Sequence, residues 1–151
     1  MGTDIAIHVQ IDTRHGWKDA PDTYLRWPWP EDTPWPDDDP EERNYCVFAF
    51  LAGVCNGYRQ QFKPIVSPFP VRGIPDGFDE EDLDIGEALT CTWMTVEELR
   101  QAPWDLEFDF GTRKGRPLLG TGFHNWLFGD RLSALVAEHG ADNIRVVMGF
   151  D

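Results

Sequence analysis

The chain has 151 residues, 41% of them hydrophobic, with seven Trp and ten Phe, enough for one ordinary domain to bury a core without disulfide or metal staples. Its 27 acidic and 13 basic residues give a formal charge of −14, a field that repels nucleic-acid phosphates and anionic membranes and favours partners with basic surfaces. Direct nucleic-acid binding and a membrane role are therefore not expected. MGTDIAIHVQ lacks the basic head and small-residue cleavage site of a secretory signal, so a cytoplasmic address is expected.

Residues 3–12 alternate. Ile5, Ile7, Val9 and Ile11 fall on one face, and Asp4, Ala6, His8, Gln10 and Asp12 on the other. Period two predicts a half-buried strand, closed by a turn at His15-Gly16. The next stretch, 20–42, carries six prolines and three tryptophans among acids. Proline removes backbone donors and fixes φ, so a long irregular loop is predicted. Trp27, Trp29 and Trp35 would pin it, and Asp37, Asp38, Asp39, Glu41 and Glu42 would stay solvated.

Asn44 is placed to cap a helix from Tyr45 to about Cys55. Its apolar residues cover more than one face, which predicts a central helix, with Asn56-Gly57 as its left-handed stop. A second irregular region spans about 62–87. Its acidic part, 76–87, includes Asp79, Glu80, Glu81 and Asp82.

Residues 88–94 read as a strand with Leu89, Cys91 and Trp93 inward. Thr95 and Glu98 have capping-box spacing, opening a helix over Val96–Ala102 that Pro103 ends. Trp104, Leu106, Phe108 and Phe110 alternate with Asp105, Glu107 and Asp109, predicting a strand with one aromatic and one acidic face. GTRKGRP, residues 111–117, reads as a turn. Asp130 is placed to cap a helix over Arg131–His139 that Gly140 ends, and Ile144–Phe150 is the last strand. The expected fold is a single α+β domain. It has about four mostly antiparallel strands, about three packed helices and a long Pro/Trp-rich loop.

The chemistry-bearing residues form no recognised catalytic or metal-binding spacing. Asp4 and His8 share a strand face but lie roughly 13 Å apart along it, too far to hold one ion. They read instead as the polar face of a strand. Three cysteines, Cys46, Cys55 and Cys91, are an odd count without a framework pattern. Cys46 and Cys55 on one helix would be separated by roughly 13 Å, beyond a disulfide. Cys91 lacks a recognisable base nearby. GTRKGR brings Lys114 and Arg116 into one turn, which could cradle an anion or be a solvated hairpin. No cofactor, metal or catalytic residue is expected, and a non-enzymatic protein is favoured.

Seventeen of the 27 acids fall in 31–42, 76–87 and Asp105/Glu107/Asp109. Such a concentration either keeps an aromatic-rich protein soluble or imitates the phosphates of a duplex to occupy a basic groove. The loop tryptophans Trp29 and Trp35 would add contact area at low entropic cost.

Four segments carry a resemblance: MGTDIAIHV, RNYCVFAFLAGVCNG, TWMTVEEL and the terminal IRVVMGFD. Together they resemble a family of small proteins from bacteriophages and prophage regions. Those proteins show MGxDIxxHVE, RNYxLFAxLAxVRNG, SWLTxEEL and RxVFWFD segments. The resemblance brings no activity with it. Relatives often have His where this chain has Ala6, Glu at Gln10 and Arg at Cys55, and a histidine before the SWLT segment that EALTCTW lacks. It retains Asp4, His8, Arg43, Asn44 and Trp93.

Two functional expectations follow. The first is a phage-type accessory protein in the host cytoplasm that binds and inhibits a host defence factor. Its acidic surface would be built from Asp37, Asp38, Asp39, Glu41, Asp79, Glu80, Glu81, Asp82, Asp105, Glu107 and Asp109, with Trp29 and Trp35 as anchors. The alternative is a small-ligand or nucleotide-binding protein using Asp4, His8, Arg116 and His124 beside the Trp-rich loop.

Overall fold

A computed structural model describes residues 5–20, 45–54, 66–78, 90–110, 113–117 and 129–150. Their elements are β1 (Ile5–Thr13), β2 (Gly16–Asp19), α1 (Tyr45–Ala52), β3 (Thr90–Thr95), α2 (Val96–Arg100), β4 (Glu107–Phe110), β5 (Arg113–Pro117), α3 (Asp130–His139) and β6 (Ile144–Phe150). Four strands form an antiparallel sheet in the order β2-β1-β6-β3, and β4 pairs with β5 in a separate ribbon. The small α+β fold expected from the sequence is the fold observed. Its fourth sheet strand, however, is β2 and not the 104–110 segment.

The alternation in β1 sets one sheet face against the helices. Ile7 and Val9 are buried and Ile11 packs beside them. Opposite them in β6, Val146 and Met148 continue the same layer. Five successive α1 residues, Phe48 to Ala52, are buried, as expected of a central helix. Phe50 meets Phe69 at 5.6 Å and Trp104 at 4.9 Å between ring centroids. Leu99 of α2 and Leu132 and Leu135 of α3 complete the core.

Helix ends follow local chemistry. α1 stops at Ala52, short of the expected Cys55, because Gly53 takes φ +71° and donates to Ala49 O at 2.8 Å. A left-handed glycine after the last turn terminates a helix, and it does so before Asn56-Gly57, which lie outside the described residues. Ser67 Oγ then donates to Phe50 O at 2.6 Å, in reach of a carbonyl from the last turn. α2 opens with the expected capping box. Glu98 N donates to Thr95 Oγ1 at 3.1 Å, and Thr95 N to Glu98 Oε1 at 3.2 Å. It ends at Arg100, two residues before Ala102. The α3 N-cap is Gly129, with Asp130 the first helical residue, and Gly140 at φ +87° ends it.

Three further expectations are corrected. Cys91 and Trp93 do not face the main core. Met94 and Thr92 do, because they pair with Val146 and Met148 on the core side of β6. Trp104 is not in a strand; it is buried in the turn after α2, with Nε1 donating to Leu99 O at 2.6 Å. The 113–117 part of the expected turn is strand β5, antiparallel to β4, and residues 111 and 112 lie outside the described residues.

The irregular segment 66–78 protects a sheet edge. Arg72 N donates to Thr92 Oγ1 and Gly73 N to Cys91 O, both at 3.1 Å. The segment thus covers part of the outer edge of β3, occupying the Cys91 carbonyl that another strand would use. The segment straddles that edge, with Phe69 in the helix-side core and Phe78 in a second apolar cluster with Val147.

Candidate functional site

The second sheet face carries the polar and aromatic side chains of β1, β2, β3 and β6. Period two puts His8, Gln10 and Asp12 of β1 here, with Arg145 and Val147 of β6. The register sets Asp19 opposite Gln10, and Gln10 opposite Arg145. This face is not simply solvated. Gln10 is 5% exposed and Arg145 only 3%.

Burying a guanidinium is costly unless its charge and donors are compensated. Arg145 Nε and Nη2 both donate to Gln10 Oε1, at 2.9 and 2.7 Å. Gln10 Nε2 in turn donates to Asp19 Oδ1 at 2.9 Å. The neutral amide thus connects a carboxylate to a guanidinium that do not touch. Trp17 on β2 and Trp93 on β3 lie to either side of the central strand, and the guanidinium carbon sits 4.4 and 5.5 Å from their ring centroids. Indole faces carry negative quadrupole potential and supply part of the missing compensation. Burial lowers the Arg145 pKa from its ordinary value, while Asp12 and Asp76 pull the other way.

A second arginine sits on the outer face of Trp93's neighbourhood. Arg72 lies 4.7 Å from the Trp93 ring centroid and forms a two-bond pair with Glu98, with Nη1 to Oε1 at 2.8 Å. The Arg72 hydrogen bond is the main reason that the Glu98 carboxyl is held below its usual value, with the Thr95 backbone N–H adding to it. Arg72 also donates to Trp93 O at 3.2 Å, so it ties the edge segment, β3 and α2 together.

His8 packs edge-on against Phe78, with ring centroids 5.6 Å apart. Burial raises the Cys91 thiol pKa, which disfavours the reactive thiolate at neutral pH. Among the described residues no group of three His, Cys, Asp or Glu side chains is arranged to hold a metal ion. No helix among them is long and apolar enough to cross a membrane.

Of the residues singled out in the sequence, Asp105 and Glu107 are exposed, and Asp105 lies in the turn before β4 and not on a strand face. Asp109 is in β4 and Arg116 in β5, opposite Phe108. Their side chains lie outside the description. Asp4, Trp29, Trp35, Asp37, Asp38, Asp39, Glu41, Asp79, Glu80, Glu81, Asp82 and His124 lie outside the described residues. His8 is the one member of the ligand set whose side chain is described. Sequence reasoning passed over Gln10, Trp17, Arg72 and Arg145. The available signal was a single arginine inside IRVVMGF, a strand otherwise apolar enough to be buried on both faces.

Charge is distributed unequally between inside and outside. Asp12, Asp19, Asp76, Asp105, Glu107, Glu138 and Asp142 are exposed. Of the described cations, Arg145 is buried and Arg72 is paired with Glu98, while Arg100, 3.8 Å from Glu97, is exposed together with Arg14 and Lys18. Comparison of the chain with family models, with curated proteins and with solved structures finds no match.

Proposed function

We propose that the chain is a phage-type accessory protein that binds and inhibits a host defence factor, gripping a basic, nucleic-acid-binding surface of that factor with its own carboxylates. The observation that carries this reading is the disposition of charge. Among the described residues Arg145 is buried against indoles and Arg72 is paired with Glu98, while seven carboxylates are exposed beside the exposed cations Arg14, Lys18 and Arg100. With a formal −14 on the chain, the outward field attracts cationic surfaces and speeds encounter with them. Asp37, Asp38, Asp39, Glu41, Asp79, Glu80, Glu81, Asp82, Asp105, Glu107 and Asp109 are the proposed contact acids, and Trp29 and Trp35 the proposed anchors.

Competition tests the inhibitory part of this reading. The tagged chain is used to capture a host protein at low ionic strength, and the captured protein is then offered labelled nucleic acid. Mutually exclusive binding is expected. A ternary complex of chain, partner and nucleic acid would refute the mimicry.

A further inference from the structure

A guanidinium has five N–H donors, and Gln10 takes two of those of Arg145, one on Nε and one on Nη2. The planar geometry leaves the two Nη1–H groups and the second Nη2–H. One Nη1–H runs parallel to that Nη2–H, the fork that receives a carboxylate end-on through two bonds. None of these three donates to a described residue, and no described carboxylate lies within ion-pair distance of Arg145. Arg145 as a whole is only 3% exposed, yet its Nη1 is not a buried atom and so reaches solvent, on a face shared by two indoles, Phe78 and Val147 with the polar His8 and Asp12.

We propose that Arg145 is a binding site for a monocarboxylate with a flat apolar body, its carboxylate taken by the Nη1–Nη2 edge and its body lying against Trp17 and Trp93. Two features select this ligand. The unused donors match a planar two-oxygen acceptor. The flanking rings offer apolar walls to a flat molecule. Hydrogen phosphate is tetrahedral and has no apolar body, so it matches neither the planar fork as well as a carboxylate does nor the flanking rings. Carboxylate binding here does not require the proposed acidic contact surface, and either can fail without the other.

The test titrates the full chain with benzoate, following the Arg145 Nε–H resonance and tryptophan fluorescence together. Benzamide serves as the neutral isostere and inorganic phosphate as the competing oxyanion. Saturable shifts with benzoate are expected, with benzamide and phosphate each weaker by about tenfold or more. Arg145→Lys, which keeps charge but loses the planar fork, should lose the response. Because the comparison of ligands is made on the unaltered chain, it stands even if that variant does not fold. An Arg145 resonance unmoved by benzoate, or equal responses to benzoate and benzamide, would overturn the site. Phosphate binding as tightly as benzoate would overturn its selectivity for monocarboxylates.

Discussion

Gln10 and Arg145 sit directly opposite each other on β1 and β6, and a single amide oxygen accepts two donors from the buried guanidinium. The other end of the same amide donates to Asp19, so three strands are tied across one sheet face. Arg145 therefore depends on a neutral group for its hydrogen bonds.

Removing that group should be costly. Gln10→Ala leaves a buried cation with two more unpaired donors, and is expected to destabilise by about 2–3 kcal/mol. Replacing both partners by apolar residues of similar size, Gln10→Leu with Arg145→Met, should recover part of the loss, because the buried charge is then gone. Urea denaturation of the two variants and the parent chain measures both effects. A double variant less stable than Gln10→Ala would contradict the electrostatic explanation.

Acid should weaken the tie between the edge segment and α2. The Glu98 carboxyl is held below its usual value by Arg72. A depressed folded pKa gives stability that is fully present above the unfolded value, about 4.3, and is lost as pH falls through the lower folded value. Glu98→Gln should therefore melt below the parent chain at neutral pH, with the gap closing in acid. Thermal melts across that range check the sign.

Phe50 is fully buried in the helix-side core, in contact with both Phe69 and Trp104. Phe50→Ala should cost about 3–5 kcal/mol, the transfer loss adding to the cavity left behind. Chemical denaturation should show this loss.

Gly140 adopts φ +87° and ψ +144° at the end of α3, a region essentially restricted to glycine. An added Cβ would meet Asn143 Nδ2 at 3.5 Å, an ordinary contact, so the penalty is one of backbone strain and not crowding. Gly140→Ala is expected to cost about 1–3 kcal/mol, read as a lowered melting temperature.

Much of the fold was legible because its signals are local. The alternation of Ile7, Val9 and Ile11 marks β1, and Thr95 with Glu98 spells out the start of α2. Errors arose where tertiary pairing overrides local pattern. The 88–94 strand reads with Trp93 inward alongside Leu89 and Cys91, yet register with Val147 turns it to the second face, where Arg145 and Arg72 use its ring. Trp104 continues an alternating run in sequence, but its indole N–H is held by Leu99 O, so the chain turns there. The Asp19–Gln10–Arg145 chain was illegible because its members are far apart in sequence and only strand order brings them together.

The most direct test of the proposed acidic contact surface is the salt dependence of partner capture. Immobilised chain is exposed to host lysate in parallel at low and high ionic strength, and the retained proteins are quantified. The account predicts a basic, nucleic-acid-binding protein held at low salt and released as the screening length shortens from about 10 Å at 0.1 M to about 3 Å at 1 M. Equal retention at both ionic strengths, or no retained protein at low salt, would contradict it.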